Sequence, residues 1–144
     1  MARYIILGLT LFVLGCDGPS LSVLPVTGTV TLDGQPVENA SVTFIPTTKL
    51  PAGGVTDAAG KFTLKTIEGP YELNGAIPGK YKVVITKFNQ NGILPDEQGL
   101  SGSAPSGIKV EWLIPQKYAD KNTTELTCQV EPGMAPPKFE LKSK

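Results

Sequence analysis

The sequence contains no histidine. Without an imidazole, the chain cannot build a Ser-His-Asp or Cys-His catalytic arrangement, a histidine-bound zinc site or a histidine pH switch. Cysteine is almost as scarce, because only Cys16 and Cys128 are present. The 13 basic and 13 acidic residues cancel, and no run of Lys and Arg is available to neutralise a phosphate backbone. The composition therefore excludes histidine chemistry and argues against nucleic acid as a partner.

The N-terminal apolar run, residues 4–14, is shorter than the roughly 20 residues that a membrane-spanning helix needs. Its length is instead typical of the hydrophobic region of a secretory signal peptide. The run ends in Val13-Leu14-Gly15-Cys16, with an aliphatic residue at position −3 and a small residue just before the cysteine. This pattern resembles the lipobox of bacterial lipoproteins, in which the cysteine receives lipid.

The resemblance implies that residues 1–15 are a signal peptide and that cleavage exposes Cys16 for lipid attachment, commonly including an acyl chain such as palmitate. Residues 16–25 are then expected to tether the lipid to the folded domain. Several acyl chains hold a protein firmly on a membrane, so we expect a lipoprotein of the bacterial cell envelope, on its periplasmic or surface face. An ordinary signal peptide, or an uncleaved anchor with an incidental cysteine, is the alternative.

The rest of the chain repeatedly alternates β-branched or apolar residues with polar ones, which is typical of half-buried strands. In residues 26–32, threonines occupy one face, and Asp33-Gly34 supplies residues that tolerate the positive φ of a tight turn. The pattern resumes in residues 40–46 and predicts an opening hairpin. Further predicted features are a hairpin over residues 54–66, an edge strand over 71–73, a helical turn over 115–118, and strands over 80–87, 108–114, 122–130 and 138–142. These features predict an all-β protein, a single antiparallel β-sandwich of about seven strands spanning residues 26–142.

Two segments need a separate interpretation. Residues 89–107 are rich in glycine, proline and serine and lack periodicity, so they are expected to form a long mobile insertion. Lys80 and Lys82 occupy the outward positions of a predicted strand. Because lysines discourage unwanted pairing at a sheet edge, they are interpreted as a solvated face and not as a binding patch.

Five short motifs follow one another: Gly-Thr-Val at 28–30, Gly-Gln-Pro-Val at 34–37, Ala-Ser-Val-Thr-Phe-Ile-Pro at 40–46, Thr-Asp-Ala-Ala-Gly-Lys-Phe at 56–62 and Pro-Gly-Lys-Tyr-Lys-Val at 78–83. Their order and spacing resemble the carboxypeptidase regulatory-like domains, which share a transthyretin-like (prealbumin-like) sandwich and include short bacterial lipoproteins. The resemblance covers residues 26–142. It implies a non-catalytic accessory domain, for which binding of protein or carbohydrate is commonly assumed.

Enzymatic relatives of that fold are not supported by the residues present. Hydroxyisourate hydrolases of the transthyretin-like fold use active-site histidines and a C-terminal Tyr-Arg-Gly-Ser, and this chain has neither. The carboxylates are scattered, and Asp33 and Asp57 fall in turns where bonds to the backbone explain them. Cys128 alternates with apolar residues and is expected to be a buried, inert thiol. We therefore expect no enzyme activity, no metal and no cofactor.

The aromatic residues divide into core positions and undetermined ones. Phe44, Phe62, Tyr81 and Phe139 fall on inward positions, and Tyr118 is expected to pack a strand corner with its hydroxyl bonded. Trp112 and Tyr71 are the two candidates for ligand contact, although core burial is the preferred interpretation of Trp112. The sequence thus predicts a non-catalytic, lipid-anchored structural or protein-interaction module that contacts the membrane through Cys16 and an unidentified envelope protein or polysaccharide. The alternative is a carbohydrate-binding module with Trp112 and Tyr71 as stacking platforms.

Overall fold

The computed structural model describes residues 21–89 and 111–144, so residues 1–15, Cys16 and most of the predicted insertion lie outside the described residues. The strands are β1 Thr27–Leu32, β2 Gln35–Pro36, β3 Ser41–Pro46, β4 Ala52–Val55, β5 Lys61–Thr63, β6 Lys65–Glu68, β7 Tyr71–Asn74, β8 Gly79–Thr86, β9 Phe88–Asn89, β10 Glu111–Trp112, β11 Thr127–Val130 and β12 Lys138–Leu141. A 3-10 turn covers Gln116–Tyr118, where the sequence predicts one helical turn.

The strands form two main sheets. The larger sheet has the order β11-β8-β3-β4-β6-β7, and the smaller has the order β12-β1-β2 with β5 also paired to β1. A separate two-stranded ladder joins β9 and β10. The predicted all-β sandwich is confirmed. Its sheets are antiparallel except that β12 pairs with β1 in parallel, with Val30 opposite Phe139, and the described strands are shorter and more numerous than predicted.

The core lies between the two sheets and is built around Phe44 of β3. The Phe44 ring lies 5.7 Å from the ring of Tyr81 on its own sheet, and 6.3 and 6.0 Å from the rings of Phe62 and Phe139 on the opposite sheet. Offset and edge-on arrangements at these distances are the favourable ones for aromatic pairs. The prediction that these four residues form the core is confirmed.

The predicted opening hairpin is wrong in its pairing. The turn forms as expected, with φ of 49° at Asp33 and 85° at Gly34, but β2 pairs with β1 at only two positions. The Val37 N–H still donates to the Val30 carbonyl at 3.1 Å, but the Val30 N–H donates to the Gly60 carbonyl at 2.8 Å, so the ladder goes no further. The chain then turns at Asn39, whose φ is 54°, and enters the larger sheet, where β3 lies between β4 and β8.

The hairpin predicted over residues 54–66 is also wrong in its pairing. Its turn is present, since one carboxylate oxygen of Asp57 accepts hydrogen bonds from the backbone N–H groups of Ala59 and Lys61, both at 2.9 Å. However, β5 pairs with β1, and it is β6 that pairs with β4. The segment therefore crosses from the larger sheet to the smaller one and back. Alternation assigns a face to each side chain but does not select the neighbouring strand.

The interpretation of Lys80 and Lys82 as edge-protecting lysines is wrong. Their strand, β8, is central, with β11 on one side and β3 on the other. Both lysines are exposed, on the face opposite to Tyr81 and Val83 of the core. Since β8 offers no free edge, another reason is needed for two cations on one strand. The edge strand predicted over residues 71–73 is confirmed, because β7 is the outermost strand of the larger sheet.

The beginning of the described chain is held against one end of the sandwich. Leu24 and Ala76 exchange two backbone hydrogen bonds of 2.8 and 2.9 Å, and the Leu21 N–H donates to the Glu68 carboxylate at 3.3 Å. β8 begins at this end with Gly79. We name it the tether end, and the opposite end, where β8 leads into β9, the distal end.

Candidate functional site

An exposed aromatic pair lies at the distal end. Trp112 is directly opposite Phe88 in the β9–β10 ladder, and the two rings meet edge to face with centroids 5.9 Å apart. Their side chains are 37% and 41% exposed. The preferred interpretation of Trp112 as a core residue is therefore wrong, because its strand pairs beyond the end of β8 and not between the two sheets.

Beside Trp112 lies a shallow groove of about 460 Å³, whose other walls come from the 3-10 turn and the residues after it. Gln116, Lys117 and Asp120 provide polar groups there. The 3-10 turn and the residues after it are held together by the Thr123 hydroxyl, which donates to the Lys117 carbonyl at 2.8 Å. An aromatic face bordered by amide, ammonium and carboxylate groups can stack on an apolar surface while bonding to hydroxyls.

Tyr71 is 42% exposed but lies far from Trp112. It belongs to β7, which is four strands away from β8 in the larger sheet; at the usual spacing between strands this is about 19 Å. Tyr71 also pairs with Glu68 at the tether end, whereas Trp112 is at the distal end. The two sequence candidates are both exposed, but the fold does not bring them into one site.

A second cleft, of about 640 Å³, lies at the tether end and was missed by the sequence interpretation. Its polar lining includes Lys80 and Lys82 of β8, Thr127 and Gln129 of β11, Lys121 and Asn122 of the turn before β11, and Thr47 after β3. Three of the lining residues are lysines and none is acidic. Only the pairing of β8 with β11 assembles this set, so the sequence signal was limited to two lysines alternating on one strand.

Cys128 borders the same cleft. It is partly buried and packs against the core, and the alternation predicted for its strand is confirmed by exposed Thr127 and Gln129 on either side. Burial raises the pKa of the Cys128 thiol above its ordinary value of 9.0. Since the thiolate is the reactive form, this environment disfavours nucleophilic chemistry at neutral pH.

Several carboxylates of the described residues accept hydrogen bonds in turns or form an ion pair. Asp33 accepts a hydrogen bond from the Ser143 N–H at 3.2 Å, and the hydrogen bonds from Ser143 lower the pKa of its carboxyl group. Within residues 21–89 and 111–144, the one ion pair joins Lys65 to Glu72 at 2.7 Å. No set of three or more Cys, Asp or Glu side chains in this part of the chain could hold a metal ion.

The same described ranges contain no helix of the length and apolarity required to cross a membrane. Comparison with known proteins adds no relative, since no protein-family model, curated protein or solved structure matches this chain.

Proposed function

We propose that this protein is a non-catalytic, lipid-anchored protein of the bacterial cell envelope whose transthyretin-like sandwich binds a protein partner at its distal end. The observation that carries the proposal is the exposure of the Phe88–Trp112 pair. The other aromatic rings that contact one another all lie in the core around Phe44 among the described residues. Exposed tryptophan is among the residues that most often dominate binding energy at protein interfaces.

The position of the tether supports a distal binding surface. Cys16 precedes Leu21 by five residues, which extend over at most about 18 Å. A lipid on Cys16 therefore keeps the tether end close to the membrane. Phe88 lies nine residues after Gly79 in the direction of β8, a path of at most about 30 Å along an extended chain. Such an arrangement presents Trp112 away from the lipid surface.

A carbohydrate is the second candidate ligand, and the polar groove beside Trp112 favours it. Sugars have apolar faces that stack on indole rings and hydroxyls that bond to side chains such as Gln116 and Asp120, both of which line the groove. Tyr71 takes no part in this version of the proposal, because it lies at the other end of the larger sheet.

A quantitative capture experiment tests both candidates. The full chain is immobilised, solubilised envelope from the native cell is passed over it, and retained protein and polysaccharide are measured after a salt wash. Trp112→Ala should reduce retention of the specific partner at least tenfold, the effect of losing an interface hot spot worth about 2 kcal/mol. Tyr71→Ala, which removes an equally exposed aromatic side chain elsewhere, is the matched control and should retain the partner.

The nature of the retained material separates the candidates. A retained protein supports the interaction module, while retained polysaccharide that also shifts Trp112 fluorescence supports the carbohydrate-binding module. If Trp112→Ala retains as much of every component as the unmodified chain does, the distal aromatic pair is not the binding surface and the proposal fails.

A further inference from the structure

We propose that the lysine-lined cleft at the tether end binds the phosphate group of an anionic lipid in the membrane to which Cys16 anchors the protein. This inference rests on the proposed lipid anchor but not on Trp112 or on any distal partner. The proposed ligand is an anionic lipid headgroup in the same membrane, at a distance from the cleft that the tether allows.

The first argument is the charge of the cleft. Lys80, Lys82 and Lys121 line it, and no carboxylate lines it. Among the residues that the structure describes, none of these lysines takes part in an ion pair. A concave surface with charges of one sign concentrates the field and attracts counterions of the other sign. The chain as a whole is neutral, so this positive charge is a local feature.

The second argument is that the lysines are held in position by the sheet. Lys80 and Lys82 project from the same face of β8, about 7 Å apart along the strand. Gln129 faces Lys80 and Thr127 faces Lys82 across the β8–β11 pairing. The Lys82 ammonium also donates to the Thr124 carbonyl at 3.2 Å, which leaves its other hydrogens for a ligand. The cleft thus combines cations with neutral amide and hydroxyl donors.

The third argument is location. Across the larger sheet, Val83 of β8 is level with Phe44 of β3, Ala52 of β4 and Thr66 of β6. Two residues further towards the tether end, Glu68 is therefore level with Tyr81, which lies between Lys80 and Lys82. Glu68 is the residue that holds Leu21, the first described residue after the predicted lipid site. Lys49 adds a further cation at the same end, since its ammonium donates to the Pro78 carbonyl beside the start of β8. The Lys80 side of the cleft therefore faces the end of the domain that a lipid on Cys16 would keep next to headgroups, while Lys121 adjoins Asp120 of the groove beside Trp112.

The direct test measures binding to vesicles. Full chain carrying Cys16→Ala, which lacks the lipid attachment point, is mixed with vesicles of phosphatidylglycerol and phosphatidylcholine or of phosphatidylcholine alone, and bound protein is separated by flotation. Adding Lys80→Gln, Lys82→Gln and Lys121→Gln together should weaken binding to the anionic vesicles about 100-fold, since each lysine near an anionic surface contributes about fivefold. Binding to neutral vesicles should not change.

A charge-matched control separates the cleft from net charge. Lys61→Gln, Lys87→Gln and Lys144→Gln together remove the same charge from positions outside the cleft and should change binding less than about threefold. Equal losses in the two triple variants would overturn the proposal. If the cleft variant does not fold, as judged by its thermal unfolding curve, Lys80→Gln and Lys121→Gln alone take its place, with a loss of about fivefold each.

Alkylation of Cys128 provides a second readout, because its thiol borders the same cleft. Anionic vesicles should slow alkylation of this residue, followed by peptide mass mapping, and neutral vesicles should not. Soluble glycerol phosphate distinguishes the source of the phosphate. If it protects Cys128 while anionic vesicles do not, the cleft binds a free phosphate compound and the membrane assignment is wrong. If neither anionic vesicles nor glycerol phosphate protects Cys128, the cleft is not an anion site. Either of these two results leaves the lipid anchor unaffected, because the anchor is tested separately through Cys16.

Discussion

At the scale of single residues, Gly28 shows how closely neighbouring strands of the smaller sheet pack against one another. A Cβ atom at this position would lie 2.5 Å from the end of the Phe62 ring and 2.5 Å from the Pro137 carbonyl oxygen. Neither neighbour can move easily, because the ring belongs to the aromatic core and the carbonyl oxygen accepts the Thr29 N–H at 3.0 Å. Glycine is therefore required here by space and not by backbone conformation.

Gly28→Ala should lower the free energy of unfolding by about 1–3 kcal/mol, the usual cost of forcing an extra methyl group into a packed core. Gly53→Ala is the control, because the corresponding Cβ would meet only the Val42 carbonyl oxygen at 3.7 Å, an ordinary contact. Urea titration of both variants provides the measurement. A Gly28→Ala protein as stable as the control would contradict the close packing of β1 against β5.

At the scale of strands, buried threonine hydroxyls satisfy backbone groups where ladders end. The Thr66 hydroxyl donates to the Gly75 carbonyl at 2.8 Å, and the Thr56 hydroxyl accepts the Ala40 N–H at 2.8 Å. The Thr124 hydroxyl does both, donating to the Val83 carbonyl at 2.8 Å and accepting the Leu126 N–H at 3.2 Å. An unpaired buried polar group is costly, so these side chains allow strands to end inside the protein.

Thr124→Val should therefore destabilise the fold although it preserves the shape of the side chain. It removes the hydroxyl from a residue that is almost fully buried and leaves two backbone groups without their partner, at an expected cost of about 1–3 kcal/mol. Thr63→Val makes the same change on an exposed position of β5 and should be nearly neutral. Thermal unfolding compares the two variants, and equal stability would argue against the bridging role of Thr124.

These strands also show which parts of the fold the sequence could predict. Turn positions such as Asp33-Gly34 and Asp57 were recognisable because their conformation depends on local chemistry. The inward side chains followed from alternation. Neither the parallel pairing of β12 with β1 nor the antiparallel pairing of β5 with β1 could be predicted, because a period of two fixes the face of a residue but not its neighbouring strand.

The candidate sites were harder to predict for the same reason. Trp112 was identified as a candidate, but its exposure depends on pairing with Phe88 outside the sandwich, which no local pattern indicates. The lysine-lined cleft combines β8 with β11 and with Lys121. Its lysines come from segments far apart in the sequence, since Lys121 follows Lys82 by 39 positions, so the cleft can be recognised only once the sheet order is known.

At the scale of the whole molecule, the proposed functions are consistent with a single orientation. The tether end carries the lysine-lined cleft and exposed Tyr71, whereas the distal end carries the Phe88–Trp112 pair. Tyrosine is common where proteins meet the headgroup region of a membrane. A lipid on Cys16 would thus turn the basic cleft towards the headgroups and the aromatic pair towards a partner, so such an anchor would determine how both surfaces are used.

The anchor is tested by Cys16→Ala in the native cell. Loss of the lipid should lower the membrane-bound fraction of the protein at least tenfold, because several buried acyl chains would contribute more to membrane affinity than the lysine-lined cleft. Cys128→Ala is the matched control: it removes the other cysteine, whose thiol is partly buried in the domain, and should leave the protein on the membrane. Labelling with radioactive palmitate should mark the control and the unmodified chain but not Cys16→Ala. If Cys16→Ala stays on the membrane without label even after a high-salt wash, which screens the charges of the lysine-lined cleft, residues 4–14 act as an uncleaved hydrophobic segment, and the orientation must be derived from that segment instead.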